Sequence, residues 1–198
     1  MKLSEELAAR GFIYQHSADA SIILDGEKRT VYLGIDPTAD AIHVGNLVPF
    51  MMLNHIMKAG HQVILLLGGG TAMIGDPSGR DTERELATLE KISAQAATME
   101  AGVRTLSTGD ITFVNNYDWL SKLTALDFMR DVGKHFTVNA MIKKDSVATR
   151  MESENGISYT EFSYSLLQGY DYLHLHQHNG ADVQIGGSDQ WGNLIAGV

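Results

Sequence analysis

The chain has 198 residues, of which 44% are hydrophobic, with 20 glycines, no cysteine and a net charge of −9. That length suffices for one sizeable core, or for one domain and part of another. The acidic balance excludes a non-specific nucleic-acid binder, which needs a surplus of Lys and Arg, and the missing thiols exclude disulfide scaffolds and thiolate metal sites.

The N-terminus, MKLSEELAAR, carries Glu5 and Glu6 and lacks the apolar centre of a signal peptide. The longest apolar run, Val63 to Leu67, is too short to cross a bilayer. A soluble, cytoplasmic protein without a membrane partner is the expectation.

In chain order, Leu3 to Ala9 reads as a short helix, and Phe12 to Leu24 as an irregular approach ending at the Asp25-Gly26 turn. The stretch Thr30 to Asn46, TVYLGIDPTADAIHVGN, then gives a β-branched and aromatic strand, a tight loop and a helix N-terminus. Such a junction offers unpaired N–H groups and the positive end of a helix dipole to a phosphate. Its helix is expected from about Asn46 to Lys58, with Pro49 in the first turn, where a missing N–H is no loss.

Gln62 to Leu67 is a continuous apolar run between glycines, which predicts a strand buried on both faces of a parallel sheet. Strand, helix and strand make a βαβ unit, whose crossover should be right-handed. The fold expected is therefore α/β, a doubly wound parallel sheet. After it comes a glycine-rich loop at a strand's carboxyl end, where open α/β sheets hold ligands. Asp81 or Thr82 is positioned to cap an amphipathic helix carrying Leu86, Leu89, Ile92, Ala96, Met99, Val103 and Leu106. Ile111 to Val114 predicts a short strand, and Leu126 to Lys144 a helix broken at Gly133.

Ser158 and Glu161 have capping-box spacing and start a helix. Phe162, Leu166, Gly169 and Leu173 share one face of it, and Tyr164, Gln168 and Asp171 another. From spacing alone that polar stripe is an ordinary solvated face. Val183 to Ile185 predicts a last strand running into a second glycine loop, Gly186 to Asn193, and two such strand ends could cradle one ligand. No repeat or linker interrupts the chain, and it stops at Val198 inside an apolar run, so it reads as one domain excerpted from a longer protein.

Two patterns are set aside. His174, His176 and His178 alternate past the expected helix end without a fixed geometry or a further ligand, so no metal is assigned. Lys143-Lys144-Asp145-Ser146, a lysine-serine run, lies upstream of the second glycine loop and is assigned no role.

Tyr32 to Thr38, His43-Val44-Gly45-Asn46, Gly75 to Gly79, Tyr117-Asp118-Trp119, Gly133 to Phe136 and Gly186 to Asn193, in this order, resemble bacterial-type tyrosyl-tRNA synthetases. The resemblance implies a Rossmann-type class I catalytic domain, truncated before its end, that activates tyrosine with ATP and Mg2+ and transfers it to tRNA(Tyr). It implies that Tyr32 and Asp171 bind the substrate phenol, that Asp76, Tyr164 and Gln168 hold its ammonium group, and that Gln184 supports them. On the nucleotide side it implies Gly34, Asp36, Gly186 and Asp189 at ribose and α-phosphate, Gln190 beside the reacting carboxylate, Thr38 and His43 at the departing pyrophosphate, and Gly45 under the adenine. Asn46 stands where histidine is commoner, keeping a donor for the ribose. Arg80 and Arg84 match positions near pyrophosphate and the tRNA end. The family's lysine loop, anticodon-binding helices and C-terminal RNA-binding module would follow Val198, and its homodimers pair through the region around Phe128 to Asn139 and Tyr159. The other readings are a tryptophan enzyme of the same class, disfavoured by the phenol partners, and a non-catalytic scaffold.

Overall fold

The structure, a computed structural model, describes residues 1–79, 82–84 and 86–198. Helices α1 (Leu3–Ala9) and α2 (Ala20–Leu24) precede strand β1 (Thr30–Ile35), followed by α3 (Val44–Lys58), β2 (Gln62–Leu67), α4 (Leu89–Leu106) and β3 (Thr112–Asn115). Short helices α5 (Tyr117–Leu120), α6 (Ala125–Asp127), α7 (Val138–Met141) and α8 (Asp145–Glu152) lead to the long α9 (Tyr159–Asn179), then β4 (Val183–Ile185) and α10 (Trp191–Gly197).

The strands form one parallel sheet in the order β3-β2-β1-β4. The chain builds outward from β1 through β2 to β3, then returns to add β4 on the other side of β1. That reversal is the switch point at which doubly wound sheets open a crevice beyond their carboxyl ends. Alternation along β1 and β2 sends side chains to two covered faces. Val31, Leu33, Val63, Leu65 and Leu67 pack with Leu7, Leu53, Ile56, Met99 and Val103, while Tyr32, Ile64 and Leu66 pack with Leu175 and Ala181 under α9. Burial on both faces explains why β2 is apolar throughout.

Several elements depart from the sequence reading. The approach segment contains α2, started by Asp19, whose carboxylate accepts from the Ser21 N–H at 2.8 Å. Helix α3 begins at Val44, so Pro49 lies inside it rather than in its first turn. It therefore offers no N–H to the Gly45 carbonyl. Helix α4 starts only at Leu89, with Thr88 as its cap and Leu86 exposed before it. Thr82 is not its cap, and Asp81 lies outside the described residues.

The expected helix over Leu126 to Lys144 is instead a series of short turns, including a π-turn at Phe128–Val132, a 3-10 turn at Gly133–His135, and α7 restarted by Thr137. Gly133 and the β-branched Val132, Thr137 and Val138 all weaken a continuous helix. Helix α9 runs past Leu173 to Asn179 and ends at Gly180 with φ +69°, so the three histidines are helical. His174 and His178 stack at 4.1 Å, while His176 turns away, its Nδ1 2.9 Å from the Ala181 carbonyl. The three do not converge. Leu173 is exposed, not part of the packed face.

Candidate active site

Three strands end in residues of one cluster, Asp36 after β1, Gly68 to Thr71 after β2 and Asn116 after β3, and Gly186 follows β4 at the same end of the sheet. Helix α9 closes it from one side, with Tyr164 and Asp171 both buried. The stripe that spacing alone left as a solvated face is interior. Gln168, between them in sequence, is half-buried.

Six side chains form one hydrogen-bonded chain. The Tyr164 hydroxyl donates to Asp36 Oδ2 (2.9 Å), and Thr71 Oγ1 donates to Asp36 Oδ1 (2.7 Å). Asn116 Nδ2 donates both to Thr71 Oγ1 (2.9 Å) and to Asp171 Oδ2 (2.8 Å), and Trp119 Nε1 donates to Asp171 Oδ1 (2.7 Å). The Gly70 N–H donates to Asn116 Oδ1 (2.7 Å) and so fixes which way the amide points. Gly68 makes the close approach possible, since a Cβ there would lie 1.9 Å from Asp36 Oδ1.

Burial pushes the Asp36 carboxyl up to about 6, against the hydrogen bonds from Thr71 and Tyr164; nearby Asp76 adds to the rise and Arg84 opposes it. Burial likewise pushes Asp171 up to about 7, against the bonds from Asn116 and Trp119, with Asp36 adding to the rise. Perturbed carboxyls of this kind mark functional clefts.

Tyr32 is wholly buried, and its hydroxyl has no hydrogen-bond partner among the described residues. Burial, then the charge of Asp171, holds its phenol well above the ordinary range. Gln184 pairs with Tyr32 in the β1–β4 register, and its Oε1 is also buried without a partner. Buried polar atoms are nearly always satisfied, so these two, side by side near Asp171, mark a position suited to a polar group.

The two glycine loops meet through Asp76. Gln190 Nε2 donates to Asp76 Oδ2 (2.6 Å), and the Ser78 N–H and Asn193 Nδ2 donate to Asp76 Oδ1 (3.0 and 3.3 Å). Asp189, exposed, lies beside Gly187, and Gly186 packs against Gln190 and Leu194. Arg84 packs against Gly75, whose φ of +89° suits glycine. Arg80 lies outside the described residues.

On the rim, Thr38, His43 and Gly45 are exposed, and among the described residues beyond its chain neighbours the nearest atom to a Cβ built at Gly34 is Leu66 Cδ2, at 3.8 Å. At Gly45 a Cβ would come within 3.1 Å of the His43 ring, so that glycine also leaves room for the imidazole. Asn46 Oδ1 accepts from the His43 N–H (3.2 Å), capping α3 and leaving its Nδ2 as donor.

Sequence reasoning assigned no role to Thr71, Asn116 or Trp119. Asn116 was detectable in principle, as a polar residue at the carboxyl end of a parallel strand, and Trp119 as the end of the Tyr117-Asp118-Trp119 motif just after it; Thr71 carried no signal. The Ser158 and Glu161 box is half made: Ser158 Oγ accepts from the Glu161 N–H (3.2 Å), but the Glu161 carboxylate is taken by buried Arg150 through two bonds of 2.8 Å.

A parallel sheet whose strand order reverses at β1, flanked by two glycine loops, defines a Rossmann-type α/β domain. The family model of class I tRNA synthetases (W and Y) matches residues 24–198. The chain belongs to that family. It is 47% identical over 202 residues to a tyrosine–tRNA ligase of Limosilactobacillus fermentum, covering 100% of this chain and 48% of that protein. It is 50% identical over 203 residues to the tyrosine–tRNA ligase of Chromobacterium violaceum, covering 99% and 48%. A C-terminally truncated mitochondrial tyrosyl-tRNA synthetase of Aspergillus nidulans superposes with a TM-score of 0.90 at 34% identity, covering 100% of this chain and 60% of that one. The chain thus spans about half the length of the curated relatives it matches.

Proposed function

We propose that this chain is the tyrosine- and ATP-binding part of a cytoplasmic tyrosine–tRNA ligase, an incomplete catalytic domain whose lysine-loop and tRNA-reading parts lie elsewhere in the protein. The observation that carries the reading is the buried Tyr32 hydroxyl, without a partner among the described residues and close enough to Asp171 to feel its charge. A substrate phenol satisfies both: its O–H donates to Asp171, and its oxygen accepts from Tyr32. An indole has one donor and no acceptor, so tryptophan would leave the Tyr32 hydroxyl unpaired.

The ammonium group belongs among Asp76, Tyr164 and Gln168, with Asp36 joined to Tyr164 in the same acidic cluster. Gln184, in register with Tyr32, is assigned to support these ammonium partners. Gln190, held on Asp76, sits beside the substrate carboxylate. That carboxylate attacks the α-phosphorus of ATP; the bond to the bridging oxygen breaks and pyrophosphate leaves with its electron pair. A ribose hydroxyl of tRNA(Tyr) then attacks the tyrosyl carbonyl and releases AMP. Such transfers rest on alignment and charge stabilisation rather than on covalent help.

Gly34, Asp36, Gly186 and Asp189 take ribose and α-phosphate, Gly45 leaves space for adenine, and Asn46 offers its free Nδ2 to the ribose. Thr38 and His43, exposed on the rim, meet the departing pyrophosphate, and Mg2+ travels on the ATP phosphates. Arg84, and Arg80 four residues before it in sequence, are assigned to pyrophosphate or the tRNA end. A homodimer through Phe128 to Asn139 and Tyr159 is favoured by the exposed apolar Leu126, Met129, Val138 and Tyr159 along that surface.

Amino-acid-dependent ATP–pyrophosphate exchange tests the activity in a polypeptide of the relatives' length carrying this chain. Exchange driven by tyrosine is expected; exchange driven by tryptophan, or none, would overturn the proposal. The 198-residue chain alone is expected to be weak or inactive.

A further inference from the structure

The carboxylates of Asp36, half-buried, and Asp171, buried, are not independent. Asn116 is locked by the Gly70 N–H on its carbonyl oxygen, so its amide nitrogen must face the pocket wall and spend one hydrogen on Thr71 and the other on Asp171. Thr71 Oγ1, already accepting from Asn116, has its single hydrogen left for Asp36. The polarity of the whole chain is thereby set: Asp36 and Asp171 are both acceptors, joined through one hydroxyl and one amide with no freedom to reverse. Buried hydrogen bonds in series polarise one another, and like charges in one site disfavour each other's ionisation.

We propose that Thr71 and Asn116 couple the two ends of the pocket, so that an ammonium group seated near Asp36 strengthens the hydrogen bond Asp171 makes to a phenol at the far end. Thr71 and Asn116 are positioning residues: they touch neither the phenol nor the reacting atoms and act through the carboxylates. The proposal rests on the tyrosine reading above. Its physical content is that a cation at Asp36 neutralises the charge that opposes ionisation of Asp171, and the donor chain keeps both carboxylates oriented as acceptors while it does so. Recognition of the hydroxyl is then strongest only when the α-ammonium is also in place, which rejects phenols that are not amino acids as well as amino acids that are not phenols.

The test is the carbon-13 resonance of the phenolic ring carbon, which reports the hydrogen bonding of the attached oxygen, in ligand bound at saturation. L-tyrosine and its ammonium-free analogue 3-(4-hydroxyphenyl)propionate, both labelled at that carbon, are compared on the wild-type chain and on Asp36→Asn, and L-tyrosine is also followed on Thr71→Val and Thr71→Ser. Expected are different bound resonances for the two ligands on the wild type, a displaced tyrosine resonance in Asp36→Asn, a similar displacement in Thr71→Val, and its reversal in Thr71→Ser, which keeps the hydroxyl. Identical resonances for the two ligands on the wild type would overturn the coupling without needing any variant to fold. A difference between ligands that Asp36→Asn leaves unchanged would overturn it as well. Absence of a bound tyrosine resonance on the wild type would instead refute the tyrosine reading, so the two failures are distinguishable.

Discussion

Replacing Tyr32 by Phe should make the protein more stable and a poorer tyrosine binder at the same time. The hydroxyl it removes is fully buried, donates to nothing in the described structure, and lies against the field of a buried carboxylate. A buried, unsatisfied hydroxyl costs about 1–3 kcal/mol, and Phe keeps the ring that packs 5.4 Å from Tyr172. Taking about 1 kcal/mol as the recovered part, a chain of this size should gain roughly 2–4 °C in Tm. Binding moves the other way. A neutral hydrogen bond to the substrate phenol contributes about 0.5–1.5 kcal/mol, so tyrosine Kd should rise by roughly 2- to 12-fold. Thermal melting by circular dichroism and calorimetric titration with L-tyrosine read the two effects on one sample. A lower Tm with unchanged affinity would refute the reasoning, since the hydroxyl would then be a structural group whose partner lies within the protein.

Asp36→Asn tests the buried acid. Its folded-state value, about 6, lies above the ordinary 3.8, so the folded state keeps this proton longer, and its contribution is present below about pH 4 and lost as pH rises through about 6. Melts from pH 4 to 8 should show the variant gaining on the wild type as pH rises, by on the order of 2 kcal/mol above pH 6; a constant difference would contradict this. His61 works with the opposite sign. Its Nδ1 accepts from the Arg29 N–H and its Nε2 donates to the Leu24 carbonyl, which fixes the neutral ring, and burial lowers its pKa below 6.5. The unfolded chain therefore takes up that proton first, and stability is lost as pH falls below 6.5; His61→Phe should flatten that limb while costing on the order of 2 kcal/mol at pH 8, read by denaturant unfolding. Arg150→Met strands the Glu161 carboxylate, whose side chain is 1% exposed, and should cost about 3–5 kcal/mol, whereas the double variant with Glu161→Gln should recover much of it.

The sheet was legible from sequence because its strands are extreme: Gln62 to Leu67 could hardly be anything but a strand covered on both faces, and Thr30 to Ile35 ends at a turn any reading would mark. The helices were less so. His174-Leu175-His176-Gln177-His178 looked like a loop because polar residues carry no period, yet α9 continues through them until Gly180 supplies the left-handed turn that stops it. The pieces between Leu126 and Lys144 are too short to show a helical period, and each is started by a cap such as Thr124 or Thr137 rather than by an apolar face.

At the site, spacing placed Tyr164 and Asp171 on one helix face but could not say which way it points; only the resemblance turned it inward. The links between carboxylates stayed hidden because they are tertiary. Thr71 comes from one stretch and Asn116 and Trp119 from another, and their partners are 35 to 55 residues away in sequence. Glu161 shows the reverse case, a local rule half overridden by a buried Arg150 that no spacing rule brings to it.

The central claim is a pocket built for a phenol-bearing amino acid. Calorimetric titration of the 198-residue chain with L-tyrosine, L-phenylalanine and L-tryptophan tests it directly. The hydrogen bond to the Asp171 carboxylate is charge-assisted and contributes about 1.5–3 kcal/mol, so tyrosine should bind at least about tenfold more tightly than either of the others. Equal affinity for tyrosine and phenylalanine, or tighter binding of tryptophan, would contradict the account.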